Sequence, residues 1–211
     1  MYKEFVERSR NLNSINFLGN NIDISKIKLD LKTKTVLDVI EKRESFRYFS
    51  KDISHLNLDL LEKLYNHGEA IIKGLQIENY VEICFIDNNK LINRNFQGVY
   101  YREDENWVLK TKLDKESISR ETLYLQTEMH DASGVFFFEW KVNNIPTENN
   151  LGNYRYMNAI SGLLGHQLSL KATELDLNGT IFAGITLVEY QVEILKSFND
   201  SRLPIFAFSV E

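Results

Sequence analysis

Apolar residues recur along this chain with two different periods, and the switches between them mark its elements. In TVLDVIEKRES, Thr35 stands as an N-cap with Asp38 at N3, an approximate capping box that opens a short helix. SHLNLDLLEKLYNHG sets Leu58, Leu61, Leu64 and Tyr65 on one helical stripe, with Gly68 in the C′ position of a left-handed terminator. The period then shortens to two. YVEICFI (80–86), FQGVYYRE (96–103) and WVLKTKL (107–113) read as strands, Asp87 to Asn89 following the first and Glu103 to Asn106 turning between the other two. ISRETLYLQTEMH is expected to be helical. VFFFEWKV (135–142) is a continuous apolar run, the pattern of a central strand covered on both faces. After the NNIPTENN loop, the longest helix is expected from about 153 to 177. Met157, Ile160, Leu164, Leu168 and Leu175 make one apolar face of it, and Tyr156, Leu163, Leu170 and Leu177 a second. TIFAGI, VEYQVEILKSF and IFAFSV close the chain as strand, helix and strand.

Residues 1–34 are polar and irregular and read as an extended arm, and 35–211 as a single domain. The class is α+β: one mixed central sheet flanked by helices on both faces. With 211 residues, 43% apolar and 12% aromatic, the chain can fill one full-sized core. The net charge of −5 argues against a broad nucleic-acid footprint, so any anion site must be local. Cys84 is the one cysteine, which excludes an internal disulfide and a multi-thiolate metal site. Its place in YVEICFI is that of a buried core thiol. MYKEFVERSRNLNSINF lacks the apolar core of a signal peptide, and no run approaches the roughly 20 apolar residues of a membrane span. A soluble cytoplasmic protein is the expectation.

Several familiar chemistries leave no mark. There is no phosphate-binding P-loop, no dinucleotide fingerprint, no H-E-x-x-H and no paired metal spacing among His55, His67, His130 and His166. Ser133 in DASGV lacks the nucleophile elbow, and Glu128, His130 and Asp131 read as a turn. What remains is KRESFRYFS (42–50). On a continuing helix, Arg43, Arg47 and Lys51 would form a solvated stripe at i, i+4 and i+8. The alternative is a cationic helix end running into an extended turn, where Arg supplies a fork for phosphate oxygens and Ser45 a directed donor. The order of the segments favours the second.

VIEKRESFRYFSKDISHLNLDLLEKL resembles the opening of the nitroreductase superfamily, in which a helix ends in R-x-S-x-R-x-F. EFVERSRNLN, GVYYREDENWVLKTK, ETLYLQTEMHDASGVFFFEW, the stretch from Asn153 to Ile185 and the final PIFAFSV are similar, in order, to segments of its SagB-type branch, which oxidises azolines in ribosomally made peptides. The resemblance implies a nitroreductase-like fold, an intertwined dimer and FMN as cofactor. It implies Arg43, Ser45 and Arg47 on the phosphate, Gly184 near the flavin ring, Arg155 as a further cofactor contact and Tyr154 in proton transfer, with no metal. It also implies an FMN-dependent oxidoreductase that turns azoline to azole or performs a related redox step. The partner is a second copy or a paralogue in a heterodimer, with a peptide substrate or a peptide-modifying enzyme beside it. The turn that lines the ring in this family has no counterpart between Gly68 and Tyr80. A second reading therefore stands beside the first: a catalytically silent subunit that binds a partner or peptide within a modification complex.

Overall fold

A computed structural model describes residues 15–17, 20–22, 34–50, 54–113, 123–146, 150–185 and 201–211. Most of the expected arm, Lys51, the helix expected at 188–198 and the first part of the one expected from Ile118 lie outside these residues. The described elements are β1 (Ile15–Phe17), β2 (Asn20–Ile22), α1 (Val36–Lys42), α2 (Leu58–Leu75), β3 (Val81–Asp87), β4 (Gly98–Glu103), β5 (Asn106–Lys112), β6 (Gly134–Lys141), α3 (Asn150–Glu174), β7 (Gly179–Phe182) and β8 (Arg202–Val210). Short 3-10 turns lie at Thr127–Asp131 and Val142–Asn144. β1 and β2 form a separate antiparallel pair. No helix among the described residues is long and apolar enough to cross a membrane.

The main sheet has six strands in the order β5-β4-β3-β6-β8-β7. Every described pairing in it is antiparallel, which corrects the mixed sheet expected from the sequence. The cause is topological. β6 and β7 run parallel and α3 is the crossover between them, but β8 inserts between the two and pairs antiparallel with both. At Asp104 and Glu105 positive φ values of 45° and 66° close the tight β4–β5 hairpin.

Both faces of β3 and β6 are buried. On one face, Ile83, Phe85, Phe136, Phe138 and Trp140 meet Leu61, Leu64 and Ile72 of α2 and Ile160, Leu164 and Leu168 of α3. Trp140 Nε1 donates to Ser161 Oγ at 2.8 Å, fixing α3 against β6. On the other face, Cys84, Ile86, Val99, Tyr101, Val135, Phe137 and Phe182 meet Phe49, Leu123, Tyr124 and Met129. Among the described residues this second cover is irregular chain and a 3-10 turn, while both long helices lie on the first face.

Three local expectations are corrected by packing. Gly68 does not end α2, which continues to Leu75 and stops at Gln76 in the left-handed region, φ 58°. Gly68 is instead a close-approach residue, because a Cβ there would lie 2.5 Å from Ile83 Cδ1. α3 spans Asn150–Glu174 rather than 153–177, so Leu175 and Leu177 follow the helix. The helix expected to run on to His130 gives way around Tyr124, which bridges Ile185, while Leu125 N–H donates to the Gly184 carbonyl at 3.3 Å. Those tertiary bonds take the backbone groups a helix would use.

Within this core, Glu139 is a carboxylate with 0% exposure. Tyr101 Oη donates to its Oε1 at 2.8 Å and Arg202 Nη1 to its Oε2 at 2.5 Å. The same Arg202 nitrogen donates to Glu82 Oε2 at 2.9 Å. Burial pushes the Glu139 carboxyl up to about 7, although Arg202 and Tyr101 pull the other way. Its folded-state value thus lies above the ordinary 4.5. The stability it contributes is present below about 4.5 and lost as pH rises through about 7. Urea denaturation from about pH 5 to about pH 8 is expected to show the wild type losing more stability than Glu139→Gln; parallel curves would contradict this linkage. Gly179→Ala is expected to destabilise by roughly 1–3 kcal/mol. A Cβ there meets the Ser209 carbonyl oxygen at 2.7 Å as well as the Phe208 ring. An unchanged denaturation midpoint would refute that close approach.

Candidate functional site

The site is built from the end of α1. Thr35 caps the helix, its Oγ1 accepting from Asp38 N–H at 3.2 Å while Asp38 Oδ2 accepts from Thr35 N–H at 3.2 Å. The Thr35 hydroxyl and then its backbone N–H, both donating to Asp38 Oδ2, hold the Asp38 carboxyl below its ordinary range. Lys34 Nζ reaches the Thr173 carbonyl at 3.0 Å and Asp176 at 2.5 Å, tying the start of α1 to the last turn of α3. Arg43 then leaves the helix with extended backbone, φ −65° and ψ 121°, and the solvated-stripe reading of a continuing helix is excluded.

From 43 to 50 the chain runs without regular structure beside the edge strand β7. Phe46 N–H donates to the Gly179 carbonyl at 3.2 Å, and Ser50 N–H to Glu211 Oε2 at 3.0 Å. Phe46 and Phe49 meet edge to face at 5.5 Å, with Phe49 buried against the second face of the sheet. Lys42, Glu44 and Phe46 line a cleft of ≈ 170 Å³ against Ser169, Thr173 and Asn178. Ser45 and Arg47 are exposed and Arg43 is half-buried. Among the described residues neither guanidinium has an ion-pair partner. Partial burial and the Arg43 guanidinium hold the His166 imidazole below its ordinary range, which places His166 of α3 beside Arg43.

The other expected residues are spread out. Gly184 follows β7 with φ 138° and open space where a Cβ would be. Tyr154 is 53% exposed and Arg155 is exposed, both near the start of α3. Tyr154 precedes His166 by twelve residues, about 18 Å along the helix axis. The structure therefore brings His166 beside Arg43, and leaves Tyr154 and Arg155 apart from that pair.

Two groups were not among the expected site residues. His166 looked like one scattered histidine, and its role depends on which face of α3 meets α1. Gln126 follows Leu125 at the Gly184 contact, and its Oε1 is buried with no hydrogen-bond partner among the described residues. A buried acceptor left open is an unmet demand of the fold, and it calls for a donor from outside the described residues.

These residues can be tested against FMN. Arg43, Ser45 and Arg47 are the donor set a phosphate needs. At the far end of β7, Gln126 offers an acceptor suited to an imide N–H, and Gly184 leaves room for close approach. Gly179, whose carbonyl accepts from Phe46 N–H, opens β7, and Gly184, whose carbonyl accepts from Leu125 N–H, follows its end. The residues fit the group. Among the described residues no three His, Cys, Asp or Glu side chains gather as a metal site.

No family model and no curated protein matches the chain. Solved structures do. A candidate nitroreductase from Ralstonia eutropha superposes with a TM-score of 0.60 at 14% identity, over 85% of this chain and 83% of that one. A candidate nitroreductase from Anabaena variabilis gives 0.62 at 20% identity, over 82% of this chain and 37% of that longer one. A candidate nitroreductase from Desulfovibrio desulfuricans, solved in complex with FMN, gives 0.55 at 12% identity over 85% and 86%. The chain has the nitroreductase-like fold.

Proposed function

We propose that the protein is an FMN-dependent oxidoreductase that grips the cofactor's phosphate with Arg43, Ser45 and Arg47. The observation that carries this reading is the end of α1, where the chain leaves the helix at Arg43 with extended backbone and Arg43, Ser45 and Arg47 follow in turn, Ser45 and Arg47 exposed and Arg43 half-buried. The fold agrees with it, since a structural neighbour was solved with FMN. Bound FMN would supply the hydride chemistry. The chain's own residues bind and orient: Arg43, Ser45 and Arg47 at the phosphate, Gln126 and the Gly184 backbone at the ring. Oxidation of azolines in a ribosomal peptide is the narrower form of this proposal, and it rests on the sequence resemblance to the SagB-type branch.

The proposal includes a dimer, with a second copy or with a paralogue. Val36, Leu37 and Ile40 support it, being 48%, 64% and 55% exposed on the short helix that carries the phosphate residues. A silent, partner-binding subunit is the second reading. It is favoured by the separation of Tyr154 and Arg155 from Arg43, which leaves no described proton donor of the family's kind beside the phosphate segment.

The visible absorption spectrum of the purified protein, with and without added FMN, separates the two. The oxidoreductase reading expects a bound yellow chromophore. Arg43→Ala with Ser45→Ala is expected to weaken FMN binding by roughly 30-fold or more, from the loss of charge-assisted hydrogen bonds. A colourless wild type that ignores FMN would sink this reading and leave the silent subunit. FMN binding untouched by the double substitution would remove the phosphate assignment.

A further inference from the structure

We propose that Glu139 is a proton-linked tuning group for the candidate flavin site, setting through its charge how readily a bound flavin is reduced. This inference rests on the FMN reading above. Glu139 lies outside the binding residues and acts through its field.

The sheet register places it. Glu139 lies opposite Pro204 in the β6–β8 ladder, and Phe182 lies opposite Ala207 in the β7–β8 ladder. Gly184 is two residues past Phe182, and Pro204 is three residues before Ala207. Glu139 and Gly184 therefore flank the same short stretch of β8, about two strand spacings or ~10 Å apart. That stretch carries a bulge, with Phe206 at φ 56°. Glu139 also points to the face of the sheet shared with the Gly184 segment. Its partners Tyr101 and Cys84 belong to the same apolar cluster as Phe182, Ile185 and Tyr124.

The charged and titratable groups around it come from every described strand packed against it. Glu82 and Cys84 lie on β3, Tyr101 on β4, Lys141 on β6 and Arg202 on β8. With Glu139 ionised, the carboxylates of Glu82 and Glu139 balance Arg202 and Lys141. With Glu139 protonated the cluster carries one net positive charge. Buried at 0% exposure, that change is screened far less than a surface charge would be. A proton affinity near neutrality lets it occur in an ordinary working range. A net positive cluster favours the electron-rich reduced flavin, so the protonated state should raise the reduction potential.

The test is a reductive titration of the FMN-reconstituted protein from about pH 5.5 to about pH 8.5, for wild type, Glu139→Gln and Tyr101→Phe. The glutamine holds the position neutral at every pH. Wild type and Glu139→Gln are expected to share one potential at the acid end and to separate above about 7, the variant being the more positive. Tyr101→Phe removes a hydrogen bond that favours the carboxylate, so its departure from the Glu139→Gln curve should begin at higher pH. If Glu139→Gln fails to fold, the displaced inflection of Tyr101→Phe relative to wild type carries the test. A constant offset, coincident curves or an undisplaced inflection would overturn the inference while leaving the FMN reading standing. A wild-type protein that takes up no FMN overturns that reading, and this inference with it.

Discussion

The pairing of β3 with β6 is the constraint from which the remaining structure follows. Seven consecutive residue pairs, from Val81 with Trp140 to Asp87 with Gly134, stack two strands whose side chains are buried above and below. Such a ladder has no solvent face, so both sides must be covered before the fold is stable. α2 and α3 meet one side, and Gly68 lets α2 sit close enough to touch Ile83. The packing is tight at the end of the ladder as well. A Cβ at Gly134 would stand 2.0 Å from the Phe85 ring, so the aromatic side chain fills the place a larger residue would take.

That constraint also decides where function can be placed. A centre built of Phe, Ile and Val has no room for a polar ligand, and the candidate site falls at the rim. β8 inserts between β6 and β7 and leaves β7 as the edge strand among the described residues. The 43–50 segment meets that edge through a single described bond at Gly179, with Phe46 and Phe49 as apolar anchors. The arrangement leaves the arginines outside while their neighbours pack. An edge that would otherwise invite another strand is partly occupied by the segment that carries the candidate phosphate donors.

How much of this was legible in the sequence depended on how local the cause was. The capping box at Thr35 and Asp38 was readable because both partners lie within one turn. The β4–β5 hairpin and the central burial of β6 were readable from period and turn residues. Gly68 was misread because a glycine that ends a helix and a glycine that admits a neighbour look alike in one dimension. The antiparallel sheet was misread for a related reason: the strand–helix–strand rhythm of β6, α3 and β7 was real, but nothing local shows that β8 will enter between them. His166 and Gln126 were invisible as site residues, since each acquires its meaning from an element distant in the chain. The end of α1 ahead of the R-x-S-x-R pattern was legible for a local reason, the change from helical to extended backbone at Arg43.

The Glu82–Glu139–Arg202 cluster is a place inside the central ladder where apolar logic gives way. Directly opposed like charges on neighbouring strands are destabilising, and Glu82 pairs directly with Glu139. Arg202 bridges the pair, one guanidinium nitrogen serving both carboxylates, while Lys141 pairs with Glu82 and Tyr101 donates to Glu139. A buried ion cluster of this kind is weak evidence for stability, because desolvation offsets much of the attraction. It does impose position. Arg202 opens β8, and moving it by one residue would carry it to the opposite face and strand two carboxylates. The cluster therefore fixes the entry of β8 between β6 and β7, and with it the stretch of β8 that lies beside Gly184. The same residues that hold the register also carry the titrating carboxyl of Glu139, so neither property can be altered without touching the other.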